Sequence, residues 1–173
     1  KGKNPPVAPT SSNPGFIATE ILGRPTNASI TVNVVPAIPM EIHYEYGTTS
    51  GVYTSQTTPQ TAVANVPLET LIDGLQPNTR YYYRINYNGN AGAEHSFITQ
   101  RAAGSTFTFG VQGDSHPERV KKQFDANLYV KTLQSAASDQ PDFYIAIGDD
   151  FSVDALKNVN QQTVAQQYIN QRQ

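Results

Sequence analysis

The chain has 173 residues, 38% of them hydrophobic and 15% charged, with a formal net charge of −2. That length suits one ordinary domain, or a small domain and part of a second. The scattered charge excludes an electrostatic footprint for nucleic acid, no apolar run approaches the ~20 residues of a membrane span, and the absence of cysteine excludes disulfides, thiolate metal sites and a cysteine nucleophile.

Residues 1–15, with Pro5, Pro6, Pro9 and Pro14, read as an extended tether, without the apolar core of a signal peptide. The low charge and the abundance of Asn, Gln, Ser and Thr point to an exported protein, secreted or periplasmic. From residue 16 to about 100 the chain reads as short strands broken by Gly-, Pro- and Asn-bearing turns: 16–22, 29–35, 41–46, 67–72, 80–87 and 93–99. Ser29-Ile30-Thr31-Val32-Asn33-Val34 alternates apolar and polar residues, the period of a half-buried strand. The same alternation sets Tyr81, Tyr83 and Ile85 against Tyr82, Arg84 and Asn86, which makes core packing a better account of the tyrosine row than a sugar-stacking platform. An all-β sandwich follows.

Gln100-Arg101-Ala102-Ala103-Gly104-Ser105 is a polar, small-residue joint, and the second domain is expected from 105 to 173. There 106–112 reads as a strand and 143–147 as a second, nearly continuous apolar one. Between them Phe124, Leu128, Tyr129, Leu133, Ala136 and Ala137 recur at roughly helical spacing and stop before Pro141. Strand, helix and strand form a βαβ unit with parallel strands and a right-handed crossover. Val159, Val164, Tyr168 and Ile169 suggest a further helix.

Two short segments follow the two parallel strands: Gly113-Asp114-Ser115-His116 and Gly148-Asp149-Asp150. Ligands bind at that edge of open α/β sheets, so the carboxylates of Asp114 and Asp149 are expected side by side. With the imidazole of His116 they make a donor set suited to Mn, Fe or Zn. The preceding glycines are expected to supply the sharp turns. The competing reading has Asp114 or Ser115 capping a helix after Pro117. Asp150 and Asp154 read as solvated or supporting carboxylates, and His43 and His95 as surface or packing residues of the sandwich.

Leu75-Gln76-Pro77-Asn78-Thr79-Arg80-Tyr81 resembles the corner before the penultimate strand of fibronectin type III domains, where a tyrosine returns its hydroxyl to the upstream backbone; Tyr81 takes that role. Gly-Asp-x-His followed by strand-Gly-Asp resembles the first two motifs of the calcineurin-like metallophosphoesterases. The resemblance implies that Asp114 and His116 bind one metal and that Asp149 bridges two. It also implies a metal-bound hydroxide attacking a phosphomonoester or phosphodiester. The layout, sandwich before catalytic domain, resembles purple acid phosphatases. Ser152, however, stands where those enzymes carry the tyrosine that colours their iron, and His116 where they usually carry Gly, so the general metallophosphoesterase pattern fits better. That family completes its site with Gly-Asn-His and later histidines. The expectation is therefore a sandwich followed by only the first βαβ part of the catalytic domain, inactive alone and either paired with another copy or dependent on a further segment. The alternative function is a non-catalytic binding or adhesion module built on the sandwich.

Overall fold

The computed structural model describes residues 15–119, 124–154 and 156–172, so the tether expected over 1–15 lies outside the described residues but for Gly15. Chain contacts divide the protein into two compact units, with the change between Ser105 and Thr106.

The first unit is a β-sandwich of fibronectin type III-like layout. One sheet has three strands in the order β1 (Phe16–Gly23), β2 (Ile30–Pro36), β6 (Leu68–Ile72). The other is built on β3 (Met40–Gly47) and β7 (Arg80–Tyr87). The short strands β4 (Ser55–Gln56) and β5 (Gln60–Ala62) pair with β3, and β8 (Asn90–Ala91) and β9 (His95–Ile98) pair with β7. Each pairing within the two sheets is antiparallel. The alternation read from the sequence explains the core: Ile30, Val32, Val34 and Ile72 of one sheet meet Ile42, Tyr44, Tyr83, Ile85 and Phe97 of the other. Tyr81 and Tyr83 are buried and Tyr82 is only partly so. β2 departs from the half-buried expectation. As the central strand it buries Thr31 as well as its alternating apolar residues.

The corner is pinned as its sequence suggests. The Gln76 amide donates to the Tyr81 hydroxyl at 2.9 Å. Thr99 adds a second tie, donating its hydroxyl to the Gln76 carbonyl at 2.7 Å and accepting the Thr79 amide at 2.9 Å. The Tyr81 ring stacks on Phe97 with centroids 5.7 Å apart. Tyr81→Phe is expected to keep the packing and lose the acceptor for the Gln76 N–H, which costs about 1–3 kcal/mol for a buried donor. A urea midpoint that falls at constant slope would register it.

One polar residue sits inside the sandwich. The pairing of β1 with β2 shifts register between Phe16 and Ala18 and again between Ala18 and Ile21. Across this irregular stretch Glu20 turns inward, its side chain only 14% exposed. The Tyr44 hydroxyl is close enough to favour its charged form, and His95 Nε2 lies 3.5 Å away. Burial is the larger influence, and it pushes the Glu20 carboxyl up to about 7 despite the tyrosine. Burial and the nearby Glu20 charge likewise raise the Tyr83 hydroxyl.

The second unit contains β10 (Phe109–Gln112), a 3-10 turn (Pro117–Arg119), α1 (Ala126–Ser138), β11 (Phe143–Ala146) and α2 (Gln161–Arg172). β10 and β11 pair in parallel, from Phe109 with Phe143 to Gln112 with Ala146. α1 starts two residues later than its apolar spacing suggests, because the Asp125 side chain accepts the Leu128 amide at 3.0 Å and caps it. β11 carries the nearly continuous apolar run read from the sequence. In the structure its four residues are exposed, and Phe109 stacks on Phe143 at the surface, because the pair forms only a two-stranded sheet among the described residues. Leu128 and Leu133 of α1 are likewise exposed.

Candidate metal centre

The strand pair extends its hydrogen bonding past both ends. The Ile147 amide donates to the Gln112 carbonyl at 2.8 Å, and the Asp114 amide donates to the Gly148 carbonyl at 3.0 Å. Those two bonds fix the loops that follow. The sharp turns were expected at the glycines, and Gly148 does adopt φ +113°. Gly113 does not adopt a positive φ. The turn there is made by Asp114 itself at φ 61° and by His116 at φ 45°, and on the other loop Asp149 follows at φ 51°. The left-handed region costs a non-glycine residue of order 1–3 kcal/mol, least for Asp and Asn, and such strain persists only where surrounding contacts enforce it.

The strained residues converge. One donor atom each from Asp114, His116 and Asp149 lies within 4.8 Å of the other two. His116 Nε2 is 2.7 Å from Asp114 Oδ1. Ligands of one metal ion at about 2.1 Å each stand no more than about 4.2 Å apart, close to the spread of these three donors. The exposure is graded: the His116 side chain is 7% exposed and that of Asp114 75%, so the cluster opens to solvent on its carboxylate side. The capping reading of Asp114 and Ser115 does not hold. Among the described residues only a three-residue 3-10 turn, Pro117–Arg119, stands there, and the Asp114 carboxylate turns to His116. The Ser115 hydroxyl donates to the Asp150 carbonyl at 3.0 Å, and Gln171 of α2 donates its amide to the same hydroxyl at 2.9 Å.

Sequence reasoning missed Glu118. Its Oε1 is 2.8 Å from His116 Nδ1, on the far side of the ring from Asp114, and it accepts the Ser152 amide at 2.9 Å. Burial works against its charge, but the bonds from His116, its own backbone amide and the Ser152 amide outweigh it and hold the carboxyl below the ordinary glutamate range. The signal available was the spacing His-x-Glu within Gly-Asp-Ser-His-Pro-Glu, too short and too common to single the residue out. Asp150 contributes its carbonyl, and Asp154 is exposed. His95 lies with Glu20 and His43 on β3 of the sandwich.

Comparison with known proteins gives fold but not family. No family model matches the chain, and no curated protein matches it. A solved structure of PhoD aligns with 83% of this chain at 18% identity and a TM-score of 0.53. The chain spans 29% of the length of that protein. The sensor domain of the anti-sigma factor RsgI4 from Pseudobacteroides cellulosolvens aligns with 49% of the chain, using 93% of its own length, at 15% identity and a TM-score of 0.40. The sixth fibronectin type III domain of a human fibronectin type III domain-containing protein aligns with 56%, using 94% of its own, at 24% identity and a TM-score of 0.35.

Proposed function

We propose that the second unit carries part of the metal centre of a phosphoesterase, with Asp114, His116 and Asp149 as ligands of Fe, Mn or Zn and a phosphomonoester or phosphodiester as substrate. The observation that supports this reading is the convergence of two carboxylates and one imidazole, all three in strained backbone conformations, at the C-terminal ends of two parallel strands. Hard oxygen donors with one imidazole match those metals. Bound there, such cations activate a water and absorb the charge developing on the phosphoryl oxygens. His116 and Asp114 come from one loop and face Asp149 from the other. In this reading Asp149 takes the role that the family resemblance gives it, the carboxylate shared by two cations. Three protein donors leave positions for solvent and substrate on one cation, and a second cation needs donors beyond these three.

The test begins with metal alone. Titrating the full chain with Mn²⁺ or Zn²⁺ is expected to show saturable binding and to raise the melting temperature of the protein. The gain is about 2.7 kcal/mol at a hundredfold excess over Kd for an ion that ignores the unfolded chain. His116→Asn, which tolerates the left-handed backbone, is expected to lose most of that gain. A chain indifferent to every divalent ion overturns the reading and leaves the alternative, a binding module whose ligand lies on the sandwich loops. No helix among the described residues is long and apolar enough to cross a membrane. The setting we assign is exported, secreted or periplasmic, on the low charge of the chain.

A further inference from the structure

We propose that Glu118 is a positioning residue for His116, an inference that rests on the metal reading above. It holds the Nδ1 proton, presents the Nε2 lone pair to the cation, and ties the loop after β10 to the loop after β11. A neutral imidazole has one N–H, yet His116 has a carboxylate oxygen at each nitrogen, Glu118 at 2.8 Å and Asp114 at 2.7 Å. One neutral ring cannot donate to both, so one of the two contacts sets acceptor against acceptor unless a positive centre lies between.

Burial decides which contact that is. The Glu118 side chain is 8% exposed, and its Oε1 already receives the Ser152 amide. A lone-pair conflict there would be out of reach of bulk water, with the Arg119 guanidinium 3.7 Å from the same oxygen. Asp114 is open to solvent, and its contact with Nε2 lies on the side where Asp149 also converges. The proton therefore belongs on Nδ1 and the cation beside Nε2. Ligating histidines commonly use their second ring nitrogen in this way, which fixes tautomer and ring orientation. The Ser152 amide makes the tie between loops, since it donates across 34 residues to the oxygen that faces His116. The other oxygen, Oε2, is buried and has no hydrogen-bond partner among the described residues. Replacing it with an amide nitrogen should therefore disturb no existing bond.

The test uses the full chain, with long-range ¹H–¹⁵N NMR of the His116 ring in metal-free protein and calorimetric titration with Zn²⁺. In the parent protein and in Glu118→Gln, whose carbonyl can still accept from both donors, the ring is expected to carry its proton on Nδ1. In Glu118→Ala that preference is expected to disappear, and zinc affinity to fall 10- to 100-fold. If the alanine variant does not fold, Glu118→Asp, one methylene too short to reach Nδ1, is expected to give the same two changes. An unaltered ring tautomer and unaltered zinc affinity in the shortened variants overturn the positioning role while leaving the metal centre intact. A tautomer that changes in a protein that takes up no zinc at all overturns the metal reading instead and leaves the orienting contact standing.

Discussion

In a protein that carries the whole catalytic domain, Asp149→Asn is expected to reduce metal-dependent hydrolysis of an aryl phosphate at least about a hundredfold, the order seen when one transition-state contact is lost, while circular dichroism and melting of the metal-free protein change little. The choice of asparagine follows from the backbone. Asp149 sits at φ 51°, where Asn is tolerated and alanine is strained. Alanine would mix a folding penalty with the chemical effect, whereas Asn keeps the shape and one oxygen and removes the charge. The charge is what matters in the proposed role, because a carboxylate shared by two cations has no neutral substitute of equal donor strength. Turnover unchanged in this variant would remove Asp149 from the site, and with it the only ligand that β11 supplies. Activity measured across added Mn²⁺, Zn²⁺ and Fe²⁺ would separate weak metal retention from lost chemistry: excess metal rescues the first and not the second.

Glu20 carries the second large effect, on stability. Its carboxyl is raised from 4.5 in the unfolded chain to about 7 in the folded one. The folded state therefore favours the protonated form. The stability this group contributes is fully present below pH 4.5 and is lost as the pH rises through 7. A shift of that size corresponds to about 3 kcal/mol between the two limits. Glu20→Gln keeps the shape and an oxygen beside the Tyr44 hydroxyl and removes the ionisation. It is expected to match the parent protein near pH 4.5 and to exceed it by up to about 3 kcal/mol at pH 8, read from urea denaturation at both values. His95, at 3.5 Å, opposes the effect only while its imidazole is protonated, and it is half exposed. Equal stability of the two proteins at pH 8 would show that Glu20 escapes to water when it ionises.

These two residues mark what the sequence could and could not reveal. Asp149 was legible because an apolar run, a glycine and a carboxylate repeat the order found at Asp114, and parallel pairing then brings the two together. Glu118 was not, because a contact two residues along a loop obeys no period. Glu20 did carry a signal: strict alternation aligns it with Ala18 and Leu22 on the inward face of β1, and a carboxylate in that series announces a buried acid. The strands with four or more residues show alternation or, as in β11, a continuous apolar run, and were recognisable. β4, β5 and β8, of two or three residues, are too short to show any. The exposure of β11 was hidden for another reason. An apolar run reports what a strand prefers to be covered by, not whether a cover lies within the same stretch of chain.

The parallel pairing of β10 with β11 also sets a clock. Every pair in its register joins residues 34 positions apart, from Phe109 with Phe143 onward, and closing a loop of that length costs about 3 kcal/mol of chain entropy before any contact repays it. Asp114 and Asp149 are therefore neighbours by virtue of those few hydrogen bonds, and the donor set holds together only while the pairing is closed. The Asp114 amide, bonded to Gly148 across the gap, reports that closure directly. Its hydrogen-exchange protection measures the free energy of opening that pairing, and an ion that binds only the assembled loops should slow exchange by the factor 1 + [ion]/Kd.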